Sequence, residues 1–135
     1  MRRFRAIATM AGMILAICGM AEAGSIAGTW TKTTHPDPSN IILLYSDSEI
    51  VKATGYEQVG DMPAYWYGEG IIRNGKLDLS YHYSAEATPK GWEPEGRMVL
   101  TLSENGNTLR GTATSRSGGW SERIELRRIS FVMQR

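Results

Sequence analysis

The sequence is short of the features that usually identify an enzyme or a metalloprotein. It contains one cysteine, Cys18, which lies in an N-terminal apolar segment, so the rest of the chain has neither a disulfide framework nor a thiolate ligand. Its two histidines, His35 and His82, are too few for a zinc site, which takes three or four convergent ligands. It also lacks a nucleophile elbow, an HExxH motif and a phosphate-binding glycine loop. We therefore expect a protein that is not an enzyme and holds no metal or cofactor.

Long apolar runs are also missing, apart from one at the N-terminus. Three arginines in the first five residues precede an apolar stretch from Ala6 to Met20, and Ala21-Glu22-Ala23 has the small-x-small pattern of a cleavage site. The stretch is short for a membrane span, which needs about 20 residues. The pattern predicts a cleaved signal peptide over residues 1–23 and a periplasmic or secreted domain over residues 24–135. The alternatives are an uncleaved membrane anchor and a lipoprotein modified at Cys18.

An excess of one charge is absent as well. The leader carries three of the fifteen basic and one of the fourteen acidic residues, so its removal changes the formal net charge from +1 to −1. A nucleic-acid-binding domain normally carries a basic patch, and a strongly charged membrane surface attracts a domain of opposite charge. The balance of charges argues against nucleic acid as a partner. We also expect no stable membrane insertion of the domain after cleavage.

Residues 95–129 show the clearest strand pattern in the chain. Met98, Leu100 and Leu102 alternate with Val99, Thr101 and Ser103, at the two-residue period of a strand with one buried face. Asn105-Gly106 then gives the strongest short-range signal of a hairpin, and Ser117-Gly118-Gly119 reverses the chain again. The pattern predicts three consecutive antiparallel strands.

The same signals recur upstream. Asn74-Gly75 is a second hairpin signal, and Gly68 and Gly70 within one predicted strand indicate a bulge or a sharp bend of the kind found at a barrel corner. Outside the leader no stretch has a helical pattern. The predicted strands cover residues 25–34, 41–46, 50–54, 64–73, 76–84, 98–103, 108–115 and 120–129, with an ambiguous loop at 56–63 and a long loop at 85–94.

Eight strands joined mostly by short turns favour one architecture. An antiparallel sheet of this kind removes its exposed edges when it closes into an up-and-down barrel. We therefore predict an all-β fold, a single antiparallel eight-stranded up-and-down barrel that follows the signal helix. A β-sandwich is the alternative.

Two short motifs at the ends of the domain carry a resemblance. Gly28-Thr29-Trp30 on the first strand, with Arg127-Arg128 on the last, resembles the calycin superfamily of lipocalins, fatty-acid-binding proteins and avidins, and also the metalloprotease inhibitors of the bacterial periplasm. The resemblance implies that Trp30 packs under a basic side chain of the last strand and closes one end of the barrel. Arg128 shares its alternation with Ile124 and Leu126, so it is the expected partner, with Arg127 as the alternative.

Aromatic residues give the candidate site. The chain has two Phe but four Trp and six Tyr, and these Trp and Tyr all follow residue 23. Trp and Tyr carry a polar group on an apolar ring, which suits a half-wet cavity or an interface. Tyr65 and Tyr67 precede the Asn74-Gly75 turn and Tyr81 and Tyr83 follow it, so we predict a tyrosine-lined pocket at one barrel mouth. The alternative is that the four rings belong to an aromatic core or a sheet surface.

The four tryptophans divide into two pairs. Trp66 alternates out of phase with the neighbouring tyrosines and Trp92 lies in the long loop, so both are candidates for an exposed protein contact. Trp92 folded back as a lid is the alternative. Trp30 and Trp120 begin strands in apolar company, so we expect them to be structural. Glu122 has the parity of Trp120 and is expected to point inward if that face is the interior, where it would meet a basic partner.

These residues support two hypotheses of function. The first is an exported, non-enzymatic lipocalin-like barrel that binds a small, partly apolar molecule through Tyr65, Tyr67, Tyr81 and Tyr83. The second is a protein-binding module with a filled barrel, such as a periplasmic protease inhibitor or an envelope assembly factor. Its contacts would come from Trp66, Trp92 and the loops His35–Asn40 and Ala85–Pro94.

Overall fold

The computed structural model of the chain describes residues 26–34 and 40–129. These residues form one closed barrel of antiparallel strands. Each strand pairs with the strands before and after it in the chain, and the last strand pairs with the first. The predicted up-and-down barrel is therefore confirmed, and the sandwich alternative is wrong. The strands are β1 (Gly28–Lys32), β2 (Ile41–Asp47), β3 (Ile50–Val59), β4 (Met62–Arg73), β5 (Lys76–Tyr83), β6 (Glu95–Leu102), β7 (Thr108–Ser115) and β8 (Ser121–Ile129).

Some of the predictions fall on other parts of the chain. The signal peptide over residues 1–23, with Cys18, and most of the loop that includes His35 lie outside the described residues. In the part of the chain that the structure describes, no helix is long and apolar enough to cross a membrane.

Alternating side chains along each strand build the core. Apolar residues of one parity point into the barrel, and the other parity faces outward, as the two-residue period of a strand requires. On β5 the inward set begins with Leu77 and Leu79, which are almost completely buried, and continues with Tyr81. The core is centred on the side chains that lose nearly all solvent contact: Ile26, Trp30, Ile42, Val51, Leu77, Leu79, Leu100, Leu109 and Leu126.

The boundary between β3 and β4 differs from the prediction. The third strand does not end at Gly55 but runs to Val59, and the expected loop at 56–63 is a tight turn at Gly60 and Asp61. Gly55 is an ordinary pairing position opposite Trp66, whose ring occupies the space that a side chain there would need. The continuation looked like a loop in the sequence because its inward residue is charged: Glu57 points into the barrel.

Gly70 allows β4 and β5 to approach each other closely, and it does not form a bulge. The β4–β5 register is unbroken from Trp66–Tyr83 to Arg73–Lys76, so the bulge alternative is wrong. A Cβ atom at Gly70 would lie 2.0 Å from the carbonyl oxygen of Asp78, so only glycine lets the two strands come this close.

One end of the barrel is sealed by Trp30 and Arg128. These residues are direct cross-strand neighbours on β1 and β8, and the guanidinium carbon of Arg128 lies 4.5 Å from the centre of the Trp30 ring. The fully buried indole N–H donates to the carbonyl oxygen of Ile26 at 3.0 Å. The prediction that Arg128 covers Trp30 is confirmed. The alternative is wrong, because Arg127 points outward from β8.

Arg128 also ties three chain segments together. Its Nη1 donates to the carbonyl oxygen of Ala27 at 2.8 Å, and its Nε donates to the carbonyl oxygen of Gly106 in the β6–β7 turn at 3.1 Å. Burial lowers the pKa of this guanidinium. Gly28 leaves room for the side chain: its φ is +147°, and a Cβ there would lie 3.0 Å from Nη1 of Arg128. The Gly-x-Trp motif therefore has a physical basis at both of its fixed positions.

Removing the Arg128 side chain should destabilise the barrel. Arg128→Ala loses a cation–π contact and two hydrogen bonds from a charged donor, so we expect the free energy of unfolding to fall by about 2 kcal/mol. Arg127→Ala is the matched control, and we expect a change below about 0.5 kcal/mol for this outward-facing neighbour. Urea denaturation followed by circular dichroism measures both. Equal losses in the two variants would contradict the sealing role of Arg128.

Candidate functional site

The barrel end opposite Trp30 is open and contains a cavity. Here β1, β3, β5 and β7 end, whereas the turns at Asn74-Gly75 and Glu104–Asn107 lie at the sealed end. The cavity has a volume of about 730 Å³. Its wall is formed by inward-facing strand residues and by the β5–β6 and β7–β8 connections. The residues of its wall that carry charge, a hydroxyl or a large ring are Lys32, Glu57, Tyr81, Tyr83, Trp92, Glu93, Ser115, Trp120 and Glu122.

Glu57 forms a polar centre inside the cavity. Its Oε1 accepts a hydrogen bond from the hydroxyl of Tyr83 at 2.6 Å, and its Oε2 lies 3.6 Å from Nζ of Lys32. Lys32 reaches this point because it has the inward parity of Trp30 on β1. Both charged side chains are nearly buried, so their pairing and the phenol offset the cost of removing a carboxylate from water. The three groups fix one another in position.

The two inward tyrosines experience this environment directly. Burial, together with the charge and hydrogen bond of Glu57, holds the pKa of Tyr83 far above its usual range. Burial raises the pKa of Tyr81 to about 12, with smaller contributions from the charges of Glu57, Glu93 and Glu122. Both hydroxyls therefore remain protonated donors at neutral pH.

A chain of aromatic rings runs from the core to the mouth. Trp66 packs on Tyr81 with ring centres 5.8 Å apart, Tyr81 meets Tyr83 edge to face at 6.0 Å, and Tyr83 meets Trp92 edge to face at 5.6 Å. Edge-to-face pairs at these distances are favourable, so each ring orients the next. This series of ring contacts connects the packed core to the cavity wall.

Hydrogen bonds fix the rim of the cavity. The carboxylate of Glu93 accepts from the backbone N–H of Ser117 at 2.8 Å and from its hydroxyl at 2.7 Å, which joins the β5–β6 loop to the β7–β8 turn. The Ser117 hydroxyl and N–H lower the pKa of Glu93. Within the turn, the backbone N–H of Trp120 donates to Oγ of Ser115 at 3.0 Å. Trp92 and Trp120 are thereby held at the mouth, where they are 41% and 46% exposed.

The structure separates the four predicted tyrosines into two pairs. Tyr81 and Tyr83 line the cavity, but Tyr65 and Tyr67 are on the outer surface and are 47% and 52% exposed. The expectation that all four share one face is wrong. The cause is the two-residue turn at Asn74-Gly75, which pairs Arg73 with Lys76, so odd-numbered residues of β4 oppose even-numbered residues of β5.

The outer tyrosines fit the alternative interpretation, a sheet surface. Tyr65 packs against Tyr56 with ring centres 5.2 Å apart, and Tyr67 packs against His82 at 3.6 Å. Both contacts are between neighbouring strands on the outside of the barrel. The inner faces of β4 and β5 therefore belong to the core and the cavity wall, whereas their outer faces carry ring contacts on the barrel surface.

The tryptophans also require corrections. Trp66 is only 3% exposed and points into the core, so it cannot be a surface contact; the same parity that turns Tyr65 and Tyr67 outward turns Trp66 inward. Trp120 was expected to be structural but lies at the cavity mouth. Trp92 is at the mouth and packs on Tyr83, which matches its interpretation as a lid. Glu122 has the inward position that its parity predicted.

Sequence reasoning missed Lys32 and Glu57 as site residues. The parity of Lys32 relative to Trp30 was a usable signal, because it placed a lysine on the inner face of β1. For Glu57 the signal was hidden, because the polar sequence after Gly55 was interpreted as a loop. Within the described residues, no three His, Cys, Asp or Glu side chains converge in a way that could hold a metal ion.

Comparison with models of protein families, with curated proteins and with solved structures finds no match to this chain. The chemistry of the cavity is therefore inferred from its own side chains. The described residues of the wall offer aromatic faces, protonated phenols, carboxylates and the ammonium group of Lys32. Such a lining provides packing surface and a few fixed polar groups for a small molecule.

The raised pKa of Tyr81 predicts a dependence of stability on pH. A tyrosine in an unfolded chain titrates near pH 10, whereas Tyr81 in the folded barrel titrates near 12. Its contribution to stability is complete below about pH 10 and is lost as the pH rises towards 12. We expect the free energy of unfolding to fall less steeply over this range for Tyr81→Phe than for the wild type.

Denaturant titrations at several alkaline pH values measure this difference. Tyr45→Phe is the matched control, because it removes a hydroxyl from the outer face of β2. If Tyr81→Phe and the wild type lose stability in parallel, the Tyr81 phenol does not have the environment described.

Proposed function

We propose that this chain is an exported, non-enzymatic binding protein of calycin-like architecture, which takes one small, partly apolar molecule into the open end of its barrel. The observation that carries this proposal is the asymmetry of the two ends. Trp30 and Arg128 seal one end, whereas a cavity of about 730 Å³ opens at the other. That volume lies within the range of about 300–1,000 Å³ that is usual for small-molecule pockets.

The composition of the cavity wall supports binding of a partly apolar molecule. Trp92 and Trp120 offer large rings at the mouth, and Tyr81 and Tyr83 offer rings and hydroxyls below them. The rim is held by the Glu93–Ser117 hydrogen bonds, so binding would require little ordering of the loops. Glu57 is fixed between Lys32 and Tyr83, an arrangement that suits a binding group better than a proton carrier.

Other features support the remaining parts of the proposal. The contact of Arg128 with Trp30, made possible by Gly28, matches what the resemblance to calycins implies for the first and last strands. Export is supported by the three arginines, the apolar stretch and the Ala21-Glu22-Ala23 motif at the start of the sequence.

A thermal-shift screen tests the proposal. We expect at least one class among fatty acids, aromatic metabolites and small glycans to raise the melting temperature, because a ligand that binds the folded state stabilises it. Trp120→Ala should weaken binding by about thirtyfold, as loss of a central aromatic contact does in other interfaces. Tyr67→Ala is the matched control, because it removes a similarly exposed ring from the outer surface.

Two results would contradict this function. One is a screen in which no class raises the melting temperature. The other is an equal loss of affinity in Trp120→Ala and Tyr67→Ala, which would place binding outside the cavity.

A second candidate function, protein binding, is favoured by the outer surface of β2–β4. This surface carries exposed apolar and aromatic residues beside Lys52, Glu69 and the Arg73–Glu49 ion pair, whereas the outer surfaces of β5–β8 carry mainly polar residues and ion pairs such as Arg97–Asp78 and Arg110–Glu125. An apolar surface confined to one side of a barrel is typical of a contact with another protein. Its residues are Ile41, Leu43, Tyr45, Ile50, Tyr65, Tyr67 and Ile71.

Charge substitutions on this surface separate the two functions. We expect Leu43→Glu with Tyr67→Glu to abolish capture of a specific partner from an envelope extract, because a charge must be desolvated in the contact. The same double variant should keep any ligand-induced rise in melting temperature. Trp92→Ala provides the opposite control at the cavity mouth. Capture that survives the double variant and is lost in Trp92→Ala would assign protein binding to the mouth instead.

A further inference from the structure

We infer that the open-end cavity recognises an uncharged ligand through a primary carboxamide or a lactam, groups in which an N–H and the C=O lie on the same side. This inference rests on the proposed small-molecule function and narrows it to one chemical class. It follows from the amide of Asn40, a buried side chain of the cavity wall that has no hydrogen-bond partner among the described residues.

The first step concerns the position of Asn40. It directly precedes β2 and continues the inward alternation of that strand. Its backbone carbonyl accepts a hydrogen bond from the hydroxyl of Thr31 at 2.9 Å, which holds this end of β2 against β1. The β2–β3 register runs to the pair Ile41–Tyr56, so the next pair inward is Asn40 with Glu57. The Asn40 amide therefore lines the cavity beside the polar centre.

The second step concerns the state of this amide. Asn40 is 6% exposed, and no described residue donates to its side chain or accepts from it. The amide carries one acceptor oxygen and two N–H donors, and burying such groups without partners destabilises a fold. Because buried polar groups are normally paired, an unpaired one in a cavity wall points to a partner from outside the chain.

The third step concerns charge. The charged groups of the described wall are engaged within the chain: Lys32 pairs with Glu57, and Glu93 accepts two hydrogen bonds from Ser117. Glu122 also takes part in an interaction within the chain. A charged head group would have to compete with one of these contacts. An uncharged group can bind Asn40 without disturbing them.

Tyr81 adds a second uncharged group of the same kind. It is 6% exposed, and its hydroxyl, which remains protonated at neutral pH, makes no hydrogen bond to a described residue. A wholly apolar ligand would leave both Asn40 and Tyr81 unpaired. The two side chains therefore select for a ligand that is polar but carries no charge.

The fourth step concerns the complementary group. The Asn40 amide can form two parallel hydrogen bonds only with a partner that places a donor and an acceptor side by side, as a primary carboxamide or a lactam does. An ester offers acceptors alone and leaves the Asn40 carbonyl oxygen unpaired. Trp92 and Trp120 at the mouth supply the apolar surface on which the rest of the ligand packs.

Three probes that share one benzyl body test this inference. Phenylacetamide carries an uncharged donor and acceptor, methyl phenylacetate an uncharged acceptor, and phenylacetate a charged acceptor. Chemical-shift titration of the protein by NMR measures their affinities, including weak ones. We expect the amide to bind at least about tenfold more tightly than the ester, and the carboxylate to bind most weakly.

A substitution that removes the amide supplies a second test. Asn40→Leu should abolish the preference for phenylacetamide over the ester. Because the amide has no partner in the free protein, the same change should leave the melting temperature unchanged or raise it. Ser115→Ala removes a similarly buried hydroxyl that is hydrogen-bonded, and it should lower the melting temperature.

Asn107→Leu is the matched control for binding. It makes the same substitution at an exposed position of the β6–β7 turn, at the sealed end, and should keep the preference of the wild type. The order of the three probes on the wild type remains a test even if Asn40→Leu fails to fold.

The outcomes distinguish this inference from the function on which it rests. If the ester or the carboxylate binds as tightly as the amide, or if only compounds without a primary carboxamide or a lactam bind, the ligand class is wrong and small-molecule binding stands. If neither the three probes nor any compound of the screen binds, both fail. A preference for the amide that persists in Asn40→Leu would also overturn the inference, as would a loss of stability in Asn40→Leu equal to that in Ser115→Ala.

Discussion

The contact of Arg128 with Trp30 is the interaction on which the rest of this barrel depends. It joins the first strand to the last and covers a buried indole with a guanidinium that also binds the carbonyls of Ala27 and Gly106. The sheet closes where β1 meets β8, and Trp30 and Arg128 are one of the residue pairs that join these two strands. Because this end is filled by side chains, the interior cavity that the described residues enclose lies where the strands end on the other side. The contact between Trp30 and Arg128 thus joins the first and last strands at the end of the barrel that lies opposite the cavity.

The open end carries a different balance of forces. Near Trp30 the barrel is filled with aliphatic side chains, and burial of apolar surface stabilises it. At the other end Lys32, Glu57 and Tyr83 are nearly buried polar groups, which are tolerated because each has a partner. Replacing such a cluster with aliphatic residues is often neutral or stabilising in proteins. Stability alone therefore does not explain the presence of this cluster.

Much of the fold was predictable because its signals are local. The Asn74-Gly75 and Asn105-Gly106 turns and the alternation on β5 each involve residues close in sequence. The grouping of Tyr65 and Tyr67 with Tyr81 and Tyr83 failed, although the sequence held the answer: a two-residue turn fixes which parities face each other. The meeting of Lys32, Glu57 and Tyr83 is of another kind, because it joins strands far apart in sequence and depends on how the barrel closes. The continuation of β3 past Gly55 was hidden because a strand with a charged interior looks like a loop.

The difference between the two barrel ends can be measured most directly through the tryptophans, which are four in the whole chain. Labelling with 5-fluorotryptophan gives one fluorine resonance for each, and single Trp→Phe variants assign them. A small, neutral nitroxide added to the solution broadens the resonances that it can approach. Broadening of Trp92 and Trp120, with Trp30 and Trp66 remaining sharp, is the predicted result. Broadening of Trp30 to the same extent as Trp120 would contradict a barrel that is sealed at one end and open at the other.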